Sequence, residues 1–287
     1  MGKYKRNIWW GVGATAVALA AGVLLDAFFL EKYFFQVKRF RIGSSTRSNK
    51  PMKLVLLADL HLKQALFPRH YKLARKVNEL KPDLLLFAGD TLDTSGEMNT
   101  VRRFLALLDS HIKKVAVPGN HDYAAEASME MLAAALKKYN GNLLVNQTRV
   151  YRIRENNLAV TGLDDQLNGS ASLEKAVEEI GQEPNHLLLI HSPRHWDRAI
   201  RVIKQVNQSR EPDQQLRFKY AFAGHTHGGQ VRLPFWVPVL PPRSGNYVQG
   251  WYKESPPYLY VSNGFGTSRF PVRFFARAEV TVFEYYV

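Results

Sequence analysis

The chain has 287 residues, no cysteine, 46% hydrophobic residues, 22% charged residues and a formal net charge of +14. At roughly 100–200 residues per domain it can bury a sizeable core, and the missing cysteines exclude a disulfide framework, thiolate metal sites and a cysteine nucleophile. The charge is uneven: residues 1–53 hold 10 Lys/Arg against Asp26 and Glu31, a surplus of +8, which leaves +6 for residues 54–287.

The first predicted element is apolar. Ile8 to Leu25 carries no charge and one hydroxyl, Thr15, over 18 positions, and about 17–25 mostly apolar residues suffice to cross a bilayer as a helix. Lys3, Lys5 and Arg6 precede the run, and Trp9 and Trp10 stand at its edge as interfacial aromatics do. A cleaved signal peptide shares the basic start and the apolar stretch. The aromatic and charged segment 26–35 that follows holds no polar cleavage region, which favours a retained single-pass anchor in the cell's inner (plasma) membrane. Lys32, Lys38, Arg39 and Arg41 balance the first cluster, so the positive-inside count assigns no side. Ser44, Ser45, Thr46, Ser48 and Asn49, ending at Pro51, read as a linker. Residues 1–50 are therefore expected to be anchor and linker, and residues 51–287 one catalytic domain.

From Lys53 the chain alternates short apolar runs with amphipathic stretches. Strands are predicted at Lys53–Ala58, Leu84–Ala88, Val115–Val117, Leu158–Gly162, Leu187–Ile190 and Tyr220–Ala223. Helices are predicted at Pro68–Leu80, Val101–Leu108, Ser128–Lys138 and Ser170–Ile180. This alternation predicts an α/β fold with a largely parallel central sheet. Leu259–Val261 and Glu279–Phe283 have no helix between them and read as antiparallel strands completing a mixed sheet or a second one.

The residues at the strand ends carry the chemistry. Five such ends deliver Asp59-Leu60-His61, Gly89-Asp90, Gly119-Asn120-His121-Asp122, His191 and Gly224-His225-Thr226-His227. In open α/β sheets ligands bind outside the carboxyl ends of the strands, so these side chains are expected to converge. Asp, Asn and His without thiolates suit Mn²⁺, Fe²⁺, Zn²⁺ or Mg²⁺. The seven candidates Asp59, His61, Asp90, Asn120, His191, His225 and His227 are too many for one ion and enough for two if a carboxylate bridges. Two such ions can clamp a phosphoryl group and generate a nucleophile from water at neutral pH. Gly89, Gly119 and Gly224 stand beside candidate ligands, where a missing Cβ permits a sharp turn.

The ordered set D-x-H, G-D, G-N-H-D, a lone His and G-H-T-H resembles the calcineurin-like metallophosphoesterase superfamily. The G-H-T-H-G-G-Q ending at Gln230, with Gly264-Phe265-Gly266-Thr267-Ser268 and Pro271-Val272-Arg273-Phe274, resembles its membrane-associated bacterial phosphodiesterase branch. The resemblance covers about residues 50–287. It implies an αββα sandwich with mixed sheets behind the N-terminal transmembrane helix, and two divalent ions, Mn²⁺ ahead of Fe²⁺, Zn²⁺ or Mg²⁺. By the same resemblance Asp59, His61 and His227 hold one ion, Asn120, His191 and His225 the other, and Asp90 bridges. His121 is then a catalytic group that stabilises a phosphoryl oxygen or protonates the leaving group, with Asp122 orienting its ring.

The remaining histidines, His70, His111, His186 and His195, read as structural, and Asp164 and Asp165 read equally as partners of ligand histidines or as turn residues. The apolar loop 231–242, broken by Pro234, Pro238, Pro241 and Pro242, reads either as core packing or as a greasy rim near the site. The expected activity is hydrolysis of a phosphodiester or diphosphate by a membrane-anchored dinuclear enzyme acting on a phosphoester substrate, including a lipid-linked one. UDP-2,3-diacylglucosamine diphosphatase is the alternative that membrane-associated relatives imply. A monoesterase and a non-catalytic membrane scaffold of the same fold are the other readings. The basic excess of the globular part, without a stacking-aromatic motif, does not point to nucleic acid.

Overall fold

In the computed structural model, which describes residues 2–287 except 45–49, 126, 234, 235 and 269, the chain opens in α1 (Gly2–Leu25). One π-helical turn at Asp26–Leu30 joins α1 to α2 (Glu31–Tyr33). There follow β1 (Gln36–Gly43), β2 (Met52–Leu57), α3 (Pro68–Leu80), β3 (Leu84–Ala88), α4 (Met98–Ala106), β4 (Lys113–Val117), α5 (Asn120–Ala124), α6 (Met129–Lys138) and β5 (Gly141–Leu143). The second half comprises β6 (Gln147–Ile153), β7 (Asn156–Gly162), α7 (Leu173–Ala176), β8 (His186–Leu189), α8 (His195–Gln208), β9 (Phe218–Ala223), β10 (Gly250–Tyr252), β11 (Tyr258–Val261) and β12 (Glu279–Tyr286). The expected linker residues Ser45, Thr46, Ser48 and Asn49, loop residue Pro234 and the side chains of Lys3, Lys5, Arg6 and Trp9 lie outside the described part.

Two mixed six-stranded sheets form, in the orders β1-β12-β2-β3-β4-β5 and β10-β11-β9-β8-β7-β6. Strands β2 to β5 run parallel, as do β7, β8, β9 and β11, and the antiparallel pairs are β12 with β2, β10 with β11 and β6 with β7. Because β2, β3 and β4 are covered on both faces, their sequences are almost wholly apolar rather than alternating. Leu54, Leu56, Leu86 and Val117 pack between the sheets against Val160, Leu187, Leu189 and Phe222. On the outer face of the first sheet Leu73, Val77 and Leu80 of α3 join Phe104 of α4 and Leu136 of α6. On the outer face of the second, Leu173 of α7 and Trp196, Ala199 and Val202 of α8 do the same. The layers are helix, sheet, sheet, helix, the mixed α/β architecture that the resemblance implied.

No element was expected at α5, α8, β5, β6 or β10, and three others depart from expectation. Residues Gln36–Gly43, assigned to the anchor and linker, form β1, which pairs parallel with β12 from Gln36↔Glu279 to Gly43↔Tyr286. Its burial alternates only from Arg39 to Gly43, too short a stretch to mark the whole strand. The Ser170–Ile180 helix contracts to the four residues of α7, capped by Ser172, whose Oγ accepts from Lys175 N at 3.2 Å. In the tail, β11 joins its sheet parallel to β9, while β12 is antiparallel to β2 as expected.

From Gly13 through the π-helical turn to Leu30 the chain has a mean hydropathy of 1.9 with Asp26 its one charge, and only 6% of this window is buried; Trp10, before it, is 74% exposed. Its end is fixed to the catalytic body. Glu31 Oε2 accepts from Ala276 N at 2.8 Å, Glu31 O from Ala278 N at 3.1 Å, and Ala27 O from Arg273 N at 2.9 Å.

Two buried histidines set a pH response. Burial, with the Arg69 charge adding to it, pushes the His70 imidazole down to about 3, and burial alone does the same to His186, whose Nε2 lies 2.7 Å from Thr161 Oγ1. Both are neutral in the folded state, so the unfolded chain takes up their protons first, as pH falls through about 6.5. Their destabilisation grows from about pH 6.5 down to about pH 3, by about 1.4 kcal/mol per unit and per group. The denaturant midpoint is therefore expected to fall across this window, and His186→Gln to flatten the slope whatever it does to stability at pH 8.

Candidate metal centre

The carboxyl ends of β2, β3, β4, β8 and β9 bring all nine expected residues to one place. Asp59, His61 and His227 form one group whose ligand-type atoms lie within 4.8 Å of one another, and Asp90, His191 and His225 form a second. Asp90 stands between them, its Oδ2 3.6 Å from His61 Nε2 and 3.4 Å from His191 Nε2. Asn120 Oδ1 is 3.1 Å from His191 Nε2, on the side of the second group. His195 takes no part in either group.

Backbone carbonyls assign the histidine tautomers. His191 Nδ1 donates to Ala88 O at 2.9 Å and His225 Nε2 to Pro242 O at 2.6 Å, since a carbonyl can only accept. The remaining nitrogens, His191 Nε2 and His225 Nδ1, then face each other across 3.1 Å. His61 Nε2 and His227 Nε2 make a second such approach, also 3.1 Å, and Asp93 Oδ2 lies 3.4 Å behind at His61 Nδ1. Lone pairs of nitrogen and oxygen therefore converge on two points with few hydrogens to share. That is a donor set built for cations, and its N/O chemistry without sulfur fits Mn²⁺, Fe²⁺ or Zn²⁺.

The charge balance shows the same demand. Burial opposes the Asp90 charge, but His191, then His61 and His121, outweigh it and hold the carboxyl far below its usual range. Burial likewise pushes His191 down, yet Asp90 and, less, Asp59 and Asp165 hold it up to about 10, so a proton occupies the place of positive charge. The Asp59 carboxyl, pushed up to about 6 by burial and by Asp90 against the pull of His191, accepts the His225 amide at 2.9 and 3.0 Å.

This crowding is bought with backbone strain. Asp59, His61, Asp90, His225 and His227 all have φ between 45° and 74°, a left-handed region that non-glycine residues seldom enter. Gly89 has φ 82°, as a sharp turn requires, and a Cβ there meets His191 Nδ1 at 2.4 Å. Gly119 is different. Its φ of −116° is open to any residue, and the requirement is space, because a Cβ meets Asp90 Oδ1 at 2.2 Å.

His121 lies at the rim, half-buried, with its amide donating to Asp90 Oδ1 at 2.8 Å and its ring edge-on to His61 at 4.5 Å between centroids. Burial is the main reason its imidazole is shifted down. The expectation that Asp122 orients this ring is corrected. Asp122 accepts the Leu92 amide at 2.7 Å and the Gly119 amide at 2.9 Å, which clasps the loops after β3 and β4 together, while the His121 ring pairs elsewhere. Burial and then Asp90 push its carboxyl up to about 7. Thr94 takes the orienting place, with Oγ1 2.9 Å from His121 Nδ1. Nothing in the sequence marked Thr94. Asp164 and Asp165 resolve as turn residues. Asp164 accepts the Ser170 amide and the Tyr123 hydroxyl, and Asp165 the amides of Leu167 and Asn168.

Arg273 holds the late loop against the centre. It is fully buried, and its guanidinium donates to Gly266 O at 2.9 and 2.6 Å, to Ala276 O at 2.6 Å and to His227 O at 3.4 Å. Gln230 fastens the same loop, donating to Phe270 O at 3.0 Å and accepting the Ser268 amide at 2.9 Å. Arg273→Met is expected to strand these buried carbonyls and cost about 3 kcal/mol or more in denaturant unfolding. It is also expected to weaken divalent-cation binding by about 10–100-fold in a calorimetric titration, as loss of an outer support does.

The calcineurin-like phosphoesterase profile matches residues 52–229. An uncharacterized metallophosphoesterase of Bacillus subtilis (strain 168), YkuE, is 30% identical over 93% of this chain and 93% of its own length. Phosphodiesterase YaeI of Escherichia coli (strain K12) is 27% identical over 89% and 90%. A bovine (Bos taurus) transmembrane protein with a metallophosphoesterase domain is 28% identical over 82% of this chain, which spans about half (53%) of that protein. The profile covers five strand ends whose Asp, Asn and His side chains converge as described, and the chain belongs to the calcineurin-like phosphoesterases.

Proposed function

We propose that the protein is a membrane-anchored, dinuclear metal-dependent phosphodiesterase. The observation that carries this reading is the pair of lone-pair clusters joined by Asp90. Asp59, His61 and His227 would hold one divalent ion and Asn120, His191 and His225 the other, with Asp90 shared. Ions so held supply the charge that offsets negative charge developing on the phosphoryl oxygens, and they make water available as a nucleophile at neutral pH.

The chain's own residues do the rest. His121, at the edge of the cluster and steadied by Thr94, is placed to give a proton to the departing oxygen or to hydrogen-bond a phosphoryl oxygen. An imidazole is suited to that transfer because it exchanges protons near neutral pH. The carbonyls of Ala88 and Pro242 keep His191 and His225 turned inward, and Asp93 does the same for His61. Metal removal by a chelator is expected to abolish hydrolysis of a generic phosphodiester. Asp90→Ala is expected to lose both ion binding and turnover. His121→Ala is expected to keep its ions and lose about 10²–10⁴ in kcat. Full activity in both variants would contradict the assignment.

The anchor reading rests on the window Gly13–Leu30, which is long and apolar enough to cross a bilayer and is only 6% buried. It favours a substrate that is itself at a membrane, a lipid-linked phosphoester, with UDP-2,3-diacylglucosamine one member of that class. Side-by-side hydrolysis of that lipid, a phospholipid and a cyclic nucleotide by the full chain in detergent micelles tests this. Preference for either lipid is the expected result, and preference for the cyclic nucleotide would overturn the lipid-linked reading.

A further inference from the structure

A groove of about 540 Å³ separates α1 from the segment after Arg273, with Leu19, Gly22 and Val23 on one wall and Phe274 and Phe275 on the other. Its placement has a geometric consequence. Phe274 and Phe275 line it together with helix residues from Thr15 to Asp26, a stretch of about 17 Å along the axis at a rise of about 1.5 Å per residue. With α1 across a bilayer, the wall that shares this groove with the helix stands at the lipid boundary. The segment is not free to swing away, because Ala27 O and the Glu31 carboxylate hold Arg273 N and Ala276 N.

The apolar loop after the G-H-T-H motif belongs to the same surface. Phe274 N donates to Gln230 O and Arg232 N to Phe274 O, so the base of the loop is paired with the groove wall. Leu233 and Trp236 then pair with each other, Leu233 N donating to Trp236 O at 2.9 Å and Trp236 N to Leu233 O at 3.1 Å. Phe270, Phe275, Trp236 and Val239 are 69%, 53%, 60% and 76% exposed. Core packing is thereby excluded for the tip of this loop.

We propose that Phe270–Phe275 and the Trp236–Val239 stretch form a second lipid contact, entering the boundary between headgroups and acyl chains beside α1. A depth of about 5–10 Å is the one at which monotopic apolar elements lie. The partner is the bilayer itself, because the wall facing Phe275 is a helix apolar enough to span it. The proposal rests on reading α1 as a membrane span, and the test separates the two.

The natural absence of cysteine allows single-site labelling of the full chain in vesicles of phosphatidylethanolamine and phosphatidylglycerol. Ala18→Cys reports the anchor, Phe275→Cys and Trp236→Cys the rim, and Val150→Cys, exposed on the edge strand β6, the aqueous control. Each carries an environment-sensitive fluorophore, and the lipid carries a nitroxide on its acyl chain. Quenching at Phe275→Cys and Trp236→Cys is expected to match Ala18→Cys and to exceed the control at least about threefold, as burial in the acyl boundary requires. Quenching at Ala18→Cys alone would overturn the second contact and leave the anchor standing. Water-like signals at all four positions would overturn both. Disulfide-linked dimers of Phe275→Cys without lipid quenching would assign the face to a second copy and overturn the proposal.

Discussion

The buried Asp90 carboxylate and four buried imidazoles, those of His61, His191, His225 and His227, bring nitrogen and oxygen atoms to 3.1–3.6 Å of one another, and the structure is organised around tolerating that. Lone pairs at such distances repel unless positive charge lies between them, and burial raises the cost because little water screens it. In the protein alone the charge is a proton on His191. Replacing a proton by divalent cations satisfies the same electrostatic need more completely, so the affinity for cations is stored as instability of the cation-free arrangement. The left-handed backbone at five of these residues and the close approaches at Gly89 and Gly119 are the geometric side of the same constraint.

The supports of the centre come from distant parts of the chain and divide the work. Carbonyls at strand ends fix ring orientation, Asp122 ties two loops by their amides, and Arg273 with Gln230 brings in the segment after β11. None of these needs to touch a substrate. They determine whether the ligand atoms are within reach of one another when an ion arrives, which is where mutations remote from the chemistry act.

Much of this was legible in the sequence because it follows from short-range rules. Apolar runs covered on both faces gave β2, β3 and β8, proline at a first turn gave α3, and the ends of the parallel strands gave the residues that converge. What was not legible depends on partners far along the chain. Strand β1 exists because β12, more than 240 positions later, offers a free edge, and its own burial alternates only in its second half. Asp122 follows His121 in sequence, yet its carboxylate is aimed at two backbone amides that only the packing of neighbouring loops supplies. Thr94 reached His121 through the fold alone. Helix α8 is the counterexample, because Trp196, Ala199, Ile200, Val202, Ile203 and Val206 recur at helical spacing and the 3.6 period was there to be read.

The join between α2 and β1 is only Phe34 and Phe35, and the Ser/Thr-rich stretch follows β1 instead of preceding it. There is no leash. An enzyme on a long tether samples a hemisphere above its attachment point, and its active centre spends most of its time away from the surface. With α1 across a bilayer as proposed, the helix, its carboxylate clamp on Ala276 and the sheet edge would turn as one object, and the metal centre would keep a constant height and aspect. Encounter with molecules confined to the same plane becomes a two-dimensional search at fixed orientation. Molecules arriving from bulk water gain nothing from the arrangement.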